Sequence, residues 1–220
     1  NMQLVGELMS RYNPTKTTPR FKVKLPPQQV FDLLTQFYII EVRRRHVEME
    51  IDETTEANLN AVTDAITADV PKFGIWLYGA PGNGKTTMMF AFMRLIDYLN
   101  SQRHFTFMGE YFQAKPRFKI AKDILDMSKE SPREFSDLFG TSILCIDDLG
   151  TEPKEIQEFD NVKTPMMDLL MYRYRLQALT FVTSNLSPKQ IKEKYDERVA
   201  DRCREMFETI KFLAPTYRKK

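Results

Sequence analysis

Cysteine is nearly absent from this sequence, and the two that occur, Cys145 and Cys203, lie far apart. Two distant thiols supply neither a disulfide framework nor the paired spacing of a zinc site. The scarcity excludes a small disulfide-stabilised secreted domain, and free thiols are typical of proteins kept in a reducing compartment. We therefore expect a cytoplasmic protein.

A long apolar run and an excess of charge of one sign are also missing. No stretch has the length and apolarity of a membrane span, and the first residues lack the apolar core and cleavage site of a signal peptide. We expect no contact with a membrane. Lysine and arginine number 32 against 30 aspartates and glutamates, a net charge of +2. Any nucleic-acid-binding surface therefore has to be local.

The composition that remains is that of a globular protein, with 42% hydrophobic and 28% charged residues among 220. This length is enough for one α/β core with a smaller appendage. We expect a basic and helical N-terminal region at 1–53 and a second domain at 54–220. Residues 11–27 hold four prolines and five basic residues without an acid, which excludes a long helix there. This segment is either a binding arm for nucleic acid or a partner protein, or a solvated tether.

The second domain alternates between short apolar runs and amphipathic stretches. The apolar runs predict strands at 75–78, 105–108, 142–146 and 180–183. Three- and four-residue periodicity predicts helices at 30–50, 55–69, 85–100, 120–129, 132–139, 165–176, from 187 onward and at 197–207. Residues 108–120 read as irregular. This alternation is typical of a mostly parallel sheet with helices on both faces.

The most specific motif is Gly79-Ala80-Pro81-Gly82-Asn83-Gly84-Lys85-Thr86, which matches the full P-loop pattern between a predicted strand and a predicted helix. Glycines let successive backbone N–H groups point at phosphate oxygens, and the helix N-terminus adds a partial positive charge. Lys85 can reach the β- and γ-phosphates, and the Thr86 hydroxyl can ligate Mg²⁺. The predicted nucleotide-binding residues in this loop are Gly79, Ala80, Pro81, Gly82, Asn83, Gly84, Lys85, Thr86 and Thr87.

Two later strand ends carry the polar groups of a hydrolytic site. Asp147 and Asp148 follow the apolar run at 142–146, and ligands bind at the carboxyl ends of strands in open α/β sheets. We expect Asp147 to hold Mg²⁺ and Asp148 to orient the attacking water. Asn185 ends the next strand, where its amide can bridge the γ-phosphate and that water, or can simply form a turn.

Arginines near the C-terminus are candidates for stabilising charge on the transferred phosphoryl group. Arg198 and Arg202 are four residues apart on one predicted helix, and Arg218 lies close to the chain end. Such an arginine can act within its own subunit or on a neighbouring one. The alternative is ion pairing along the helix with Asp201 and Glu205.

With these elements in order, residues 55–218 resemble the DnaC/IstB-like AAA+ ATPases, which are replicative helicase loaders and transposase helpers. The resemblance rests on five stretches: Gly-Ala-Pro-Gly-Asn-Gly-Lys-Thr at 79–86, Asp-Asp-Leu-Gly-Thr-Glu at 147–152, Arg173-Tyr174 with Thr183-Ser184-Asn185-Leu186, Glu-Arg-Val-Ala-Asp-Arg at 197–202, and Tyr217-Arg218. The departures are an N-terminal region unlike a loader's partner domain, no Cys/His zinc cluster, and Ala214-Pro215-Thr216 in place of a glycine-serine turn.

The resemblance implies a fold and a set of roles. The fold is a P-loop NTPase of AAA+ type, a mostly parallel central sheet flanked by helices, with a small N-terminal helical region. Asn185 would be the sensor 1 residue, Arg202 the arginine finger acting on the adjacent subunit, and Arg218 the sensor 2 residue. Loaders of this type assemble on a hexameric replicative helicase, open it and hold single-stranded DNA.

A basic segment with interleaved aromatic residues is a separate candidate for DNA contact. Phosphate contacts and base stacking on aromatic rings are how proteins bind single strands. The alternative is a solvated basic loop whose aromatic residues belong to the core. The basic residues are Lys115, Arg117, Lys119 and Lys122, and the aromatic ones are Tyr111, Phe112 and Phe118.

Together these patterns predict an ATPase that uses ATP and Mg²⁺, forms homo-oligomers when nucleotide or a partner is present, and loads a replicative helicase on single-stranded DNA. A transposase helper would share every catalytic residue. A kinase would need a lid with arginines and an acceptor pocket, for which the sequence has no clear candidate. A nucleotide switch that does not hydrolyse is the remaining alternative. The choice of ATP over GTP follows from the resemblance.

Overall fold

The computed structural model describes residues 20–21, 23–48, 51–69, 71–102, 106–107, 110–111, 114–158 and 161–213. Within these ranges the elements follow in the order α1 (Pro27–Arg43), α2 (Glu53–Thr67), β1 (Gly74–Gly79), α3 (Lys85–Ser101), β2 (Thr106–Phe107), β3 (Glu110–Tyr111), β4 (Pro116–Ile120), α4 (Ala121–Glu130), α5 (Pro132–Phe139), β5 (Ile143–Asp147), β6 (Ile156–Glu158), β7 (Asn161–Lys163), α6 (Pro165–Leu176), β8 (Leu179–Ser184), α7 (Pro188–Lys194), α8 (Glu197–Met206) and β9 (Phe207–Phe212).

Five strands form a central sheet in the order β4-β5-β8-β1-β9, and every neighbouring pair is parallel. The predicted parallel sheet is therefore confirmed. β1 lies between β8 and β9, so β8 separates β1 from β5. All five strands end at the same edge of the sheet, and that carboxyl edge carries the candidate site.

The sheet is covered on both faces, as expected for a parallel sheet. Alternate residues of β1 point to opposite sides: Ile75 and Leu77 belong to one hydrophobic cluster and Trp76 to the other. The first cluster is filled by α1, α2 and α3, and the second by residues of α4 to α8. This two-sided burial is why the strands read as continuous apolar runs rather than as alternating patterns.

The described part of the N-terminal region packs on the central sheet's helices. Val30, Leu34 and Tyr38 of α1 are buried in the same cluster as α2 and α3. Glu41 of α1 also forms an ion pair with Arg94 of α3. The division after residue 53 stays a prediction, and the packing shows that α1 shares its core with the larger domain.

Helix boundaries follow local signals. Asp52 caps α2 by accepting from the Thr55 backbone N–H at 2.7 Å, and Ser187 forms a capping box with Gln190 before α7. The prediction of a first helix reaching residue 50 is wrong. α1 ends at Arg43, and His46 follows with a φ of 56°, a left-handed conformation that ends a helix.

One predicted strand needs correction, and several strands were not predicted. The run at 105–108 is not in the central sheet, because β2 pairs antiparallel with β3 in a separate two-stranded sheet. The second central strand along the chain is β4, inside the segment that we expected to be irregular. Its first residue, Pro116, is tolerated because β4 is an edge strand that pairs only with β5 among the described strands. The β6–β7 hairpin was not predicted either.

The sequence analysis also missed β9, whose first residue, Phe207, we had placed at the end of a helix. α8 ends at Met206, and the chain continues directly as an edge strand paired with β1. Phe207, Ile210 and Phe212 are buried, while Glu208 and Thr209 are exposed. This uneven pattern matches neither a strict strand period nor a helical one, so periodicity gave no signal.

Arg173 of α6 joins several parts of the second face. It is fully buried, and burial lowers its pKa to about 10. Its guanidinium donates to the carbonyls of Leu138, Thr141 and Leu179 at 3.0, 2.7 and 2.6 Å, and to the Thr180 hydroxyl at 2.8 Å. Arg173 therefore links α6 to the loop before β5 and to the start of β8, which is a structural role for one residue of the family motif.

Candidate nucleotide and magnesium site

The predicted P-loop lies between the end of β1 and the start of α3, as the motif requires. Gly82 and Gly84 have φ values of 82° and 91°, which residues with a side chain rarely adopt. A Cβ on Gly79 would lie 2.4 Å from the Phe212 carbonyl oxygen. The backbone between β1 and α3 can therefore curl tightly only with glycine at these positions, while Ala80 and Pro81 are exposed at the tip.

Asn83 fixes this loop to strand β9. Its side chain is buried, and its Nδ2 donates to the Phe212 carbonyl at 2.9 Å. Because β9 was not predicted, this anchor could not be found from the sequence. The contact joins residues 129 positions apart and makes the shape of the loop depend on the end of the edge strand.

Lys85 connects the P-loop to the next strand end. Its Nζ donates to the Gly79 and Ala80 carbonyls at 2.9 and 2.8 Å and to Asn83 Oδ1 at 3.1 Å. It also donates to Asn185 Oδ1 at 3.0 Å. Asn185 reaches Lys85 because β8, which Asn185 follows, is the neighbour of β1 in the sheet. The two predicted catalytic residues are thus in direct contact.

Asp147, the last residue of β5, contacts Thr86 in the first turn of α3. The Thr86 hydroxyl donates to Asp147 Oδ1 at 3.0 Å, and the Asp147 carboxylate is buried. Carboxylate and hydroxyl oxygens are the hard ligands that Mg²⁺ prefers, and Mg²⁺ commonly takes few protein ligands and several waters. These two residues fit the ion. No group of three or more His, Cys, Asp or Glu suited to a metal occurs among the described residues.

Thr183, in β8, was not among the predicted site residues. Its hydroxyl is buried, donates to Asp147 Oδ1 and accepts from the Asp148 backbone N–H at 3.0 Å. Its carbonyl accepts from the Leu149 N–H at 2.8 Å. Thr183 therefore holds the chain where it leaves β5. Its position two residues before Asn185 was a signal in the sequence that Thr183 lies near the site. That signal was not enough, because the sequence does not show that β8 is adjacent to β5.

Asp148 lies in an unusual backbone conformation. Its φ is 57°, in the left-handed region that costs a residue with a side chain free energy and is frequent at functional sites. Thr183 stabilises this turn, because its hydroxyl accepts from the Asp148 N–H and its carbonyl accepts from the Leu149 N–H. The side chain is half-buried at the carboxyl edge, where it can act as the predicted water-orienting group. Thr87, the remaining predicted loop residue, is buried in the first turn of α3.

The loop after Asp148 is tied to the helices that follow β8. Glu152 is fully buried, accepts from the Gly150 N–H at 2.8 Å and accepts a hydrogen bond from the Tyr195 hydroxyl. Burial, reinforced by Glu152, raises the pKa of Tyr195. Lys194 donates to the Glu152 carbonyl at 2.6 Å. Glu152, the last residue of the Asp-Asp-Leu-Gly-Thr-Glu stretch, therefore has a structural role: it holds this loop against Tyr195 and Lys194.

The two arginine candidates on α8 lie apart from the P-loop of their own chain. Arg202 of α8 stacks on the ring of Tyr174, with its Cζ 4.9 Å from the ring centre. Tyr174 in turn contacts Phe73, next to the amino end of β1. The P-loop follows the other end of that six-residue strand, roughly 20 Å away at about 3.3 Å per residue. Arg198 is exposed one turn earlier in α8, and Arg218 lies outside the described residues.

The predicted basic track is an ordered edge rather than a loop. Lys115 is exposed just before β4, Arg117 and Lys119 are half-buried within the strand, and Lys122 is exposed in the first turn of α4. Phe118 points to the opposite face from Arg117 and Lys119, where its ring lies 5.0 Å from that of Phe90. Phe112 and the side chain of Tyr111 lie outside the described residues.

Comparison with known proteins finds matches among solved structures. No family model matches the chain, and no curated protein matches it. The DnaC helicase loader is 19% identical over 73% of this chain and 91% of that one, with a TM-score of 0.54. DnaI is 20% identical over 89% and 95%, with a TM-score of 0.56. AMPPCP-bound DnaA from Aquifex aeolicus is 16% identical over 74% and 48%, with a TM-score of 0.52.

At these identities the likeness is one of fold. The chain has the P-loop fold of AAA+ type shared by these structures, which confirms the predicted fold class. The predicted resemblance to the DnaC/IstB-like group is supported at the same level. Among the described residues, none of the helices has the length and apolarity to cross a membrane.

Proposed function

We propose that this protein is an AAA+ ATPase that hydrolyses ATP with Mg²⁺ to load or remodel a replicative DNA helicase on single-stranded DNA. The observation that carries the proposal is the convergence of three strand ends on one point. Lys85 after β1, Asp147 at the end of β5 and Asn185 after β8 are joined by the Lys85–Asn185 and Thr86–Asp147 hydrogen bonds.

Each residue at this point has a chemical role in the proposal. The backbone of residues 79–84 and the N-terminus of α3 bind the phosphates, and Lys85 adds a positive charge beside them. Thr86 and Asp147 hold Mg²⁺, which when bound neutralises charge on the phosphate oxygens. Asp148 and Asn185 orient the attacking water and the γ-phosphate.

A second copy of the chain completes the site. Arg202 lies too far from its own P-loop to act there, and its guanidinium is half-exposed on the surface of α8. An arginine supplied in trans stabilises the charge of the transferred phosphoryl group. The proposed active form is therefore a homo-oligomer in which Arg202 of one subunit faces the nucleotide of the next. Arg218 as a nucleotide contact within its own subunit also stays a proposal.

The choice of partner rests on the similar structures, whose descriptions name a helicase loader and a DnaA bound to single-stranded DNA. The basic row at β4 is the proposed contact for single-stranded DNA, through Lys115, Arg117, Lys119 and Lys122. Replacing Lys115, Arg117 and Lys119 with Ala should weaken binding to an oligonucleotide and flatten its salt dependence. Unchanged affinity and salt slope would remove this surface from the proposal.

The test is a loading assay with the hexameric replicative helicase from the same source and a single-stranded DNA circle coated with single-strand-binding protein. Wild-type protein with ATP and Mg²⁺ should deliver helicase to the circle and release phosphate without any acceptor molecule. Asp148→Asn should still bind ATP but lose about a hundredfold or more in turnover. Asp137→Asn, which changes an exposed acid on α5, is the matched control and should behave as wild type.

The outcomes separate the alternatives. Phosphate transfer only to an added small-molecule acceptor would indicate a kinase. Full loading activity in Asp148→Asn would indicate a switch that does not hydrolyse. Normal ATP turnover without helicase binding, together with capture of a transposase, would indicate a transposase helper. Each of these results contradicts the proposed function in a different step.

A further inference from the structure

Arg202 has neighbours in its own chain that determine how its guanidinium is presented. Tyr174 of α6 lies beneath it, at 4.9 Å from Cζ to the ring centre, and the Tyr174 hydroxyl accepts from Arg202 Nη1 at 3.1 Å. Stacking on an aromatic face fixes the plane of a guanidinium, which a flexible side chain alone does not do.

The Tyr174 ring is itself a fixed platform. It packs against the buried ring of Phe73 at 5.8 Å between centres. Arg20 lies over the Phe73 ring, with its Cζ 5.1 Å from the ring centre. Phe73 directly precedes β1, so this aromatic pair lies beside the start of that strand. The position of the Arg202 guanidinium is therefore fixed by contacts with the central sheet as well as by α8.

A carboxylate lies within reach of the same guanidinium. Glu205 is three residues after Arg202 on α8 and forms the ion pair that helix spacing allows, but its Oε2 is 3.7 Å from Arg202 Nη1, which is longer than a hydrogen bond. The same Oε2 instead accepts from the Tyr174 hydroxyl at 2.5 Å. This hydrogen bond raises the pKa of Tyr174.

The Tyr174 hydroxyl thus lies between the two partners: it donates to Glu205 Oε2 and accepts from Arg202 Nη1, and the ion pair has no direct hydrogen bond. Within the described part of the chain, Nε and Nη2 of Arg202 have no hydrogen-bond partner, and the side chain is 42% exposed. A guanidinium held in plane, with donors left for an anion, is suited to a phosphate oxygen of a second subunit.

We propose that Tyr174 is a positioning residue for the trans-acting arginine: its ring orients Arg202, and its hydroxyl keeps the Arg202–Glu205 ion pair from closing to a direct hydrogen bond. This inference rests on the proposed function, since Tyr174 would position the arginine that completes the site of the neighbouring subunit. The juxtaposition that carries it is Tyr174 of α6 between Arg202 and Glu205 of α8.

The experiment measures ATP turnover per subunit over a wide range of protein concentration, with circular dichroism melting to check folding. Tyr174→Phe keeps the ring and removes the hydroxyl, which lets Glu205 close on Arg202 with a direct hydrogen bond. An exposed pair of this kind competes by about two- to fivefold, so maximal turnover should fall by that factor while the KM for ATP stays unchanged. Tyr172→Phe, on the same helix, is the matched control and should leave turnover at the wild-type level.

The double variant Tyr174→Phe/Glu205→Gln supplies the readout that a merely structural role would not give. With no carboxylate to release, its turnover should return to the level of Glu205→Gln alone. Turnover in Tyr174→Phe equal to that in Tyr172→Phe, or a double variant as slow as Tyr174→Phe, would overturn the positioning role.

Arg202→Ala separates this inference from the proposed function. It should abolish the rise of turnover with concentration and leave the affinity for a fluorescent ATP analogue intact. If wild-type turnover never rises with concentration, or Arg202→Ala keeps the rise, the proposed trans site fails and the inference fails with it. If Arg202→Ala behaves as expected and Tyr174→Phe has no effect, only the inference fails.

Discussion

Replacing Thr183 with valine tests how the carboxyl edge of the sheet is held together. Valine has nearly the shape of threonine but lacks the hydroxyl that donates to Asp147 and accepts from the Asp148 N–H. The substitution therefore removes two buried hydrogen bonds without opening a large cavity. Because Thr183 is fully buried, water cannot replace the lost partner.

The expected cost follows from the two bonds. A buried hydrogen bond to a charged group contributes about 1.5–3 kcal/mol, and leaving a buried N–H unsatisfied costs about 1–3 kcal/mol. These two contributions are not fully additive, because one hydroxyl makes both hydrogen bonds. We therefore expect Thr183→Val to lower the free energy of unfolding by about 2–4 kcal/mol. Thr183→Ser keeps the hydroxyl and loses one methyl group, which costs about 1 kcal/mol.

The assay is urea unfolding followed by the fluorescence of Trp76, the single tryptophan in the sequence, which is 2% exposed in the folded chain. Because Asp147 loses the group that orients it, Thr183→Val should also raise the Mg²⁺ concentration for half-maximal turnover by about tenfold or more. Equal unfolding free energies and equal Mg²⁺ dependence in the valine and serine variants would refute the assigned role of the hydroxyl.

Three further outcomes follow from other contacts. Asn83→Ala should lower ATP affinity about tenfold in a fluorescent-nucleotide titration, because it removes the hydrogen bond to the Phe212 carbonyl that shapes the P-loop. Unchanged affinity would contradict the role of this hydrogen bond. Arg173→Lys should cost about 3–5 kcal/mol in urea unfolding, because an ammonium cannot span the acceptors that the guanidinium reaches. Burial raises the pKa of Cys203 to about 12 and also raises that of Cys145. Both thiols should therefore resist Ellman's reagent until unfolding, and stability should fall as pH rises above the ordinary thiol pKa of 9.0, since the unfolded chain loses these protons first.

The parts of the site that could be predicted are formed by consecutive residues or lie at the ends of apolar strands. The P-loop needs its glycines, Lys85 and Thr86 in one stretch because the backbone itself forms the cradle, so the pattern carries its own geometry. Asp147 and Asn185 were predictable because one ends and the other directly follows a buried apolar strand, and parallel strands end at one edge. The same argument does not say which strands are neighbours.

The parts that escaped depend on contacts between distant residues. Thr183 acts because β8 lies beside β5, and Asn83 because β9 lies beside β1. β9 itself pairs with β1 from 133 residues away at Gly74 and Phe207, and its edge position allows exposed Glu208 and Thr209 to break the alternation. Pro116 at the start of β4 argues against a central strand, because proline is excluded from central strands and tolerated at an edge, and the edge position of β4 could not be known from the sequence.

Mixing two inactive variants tests whether the ATPase site is completed by a second copy of the chain. Lys85→Ala removes the site and keeps Arg202, whereas Arg202→Ala keeps the site and removes the finger, so each variant alone should be inactive. In an equal mixture about a quarter of head-to-tail interfaces pair an intact site with an intact arginine. Mixing should therefore restore about a quarter of wild-type turnover. A mixture as inactive as its components, or full activity in Arg202→Ala alone, would contradict it.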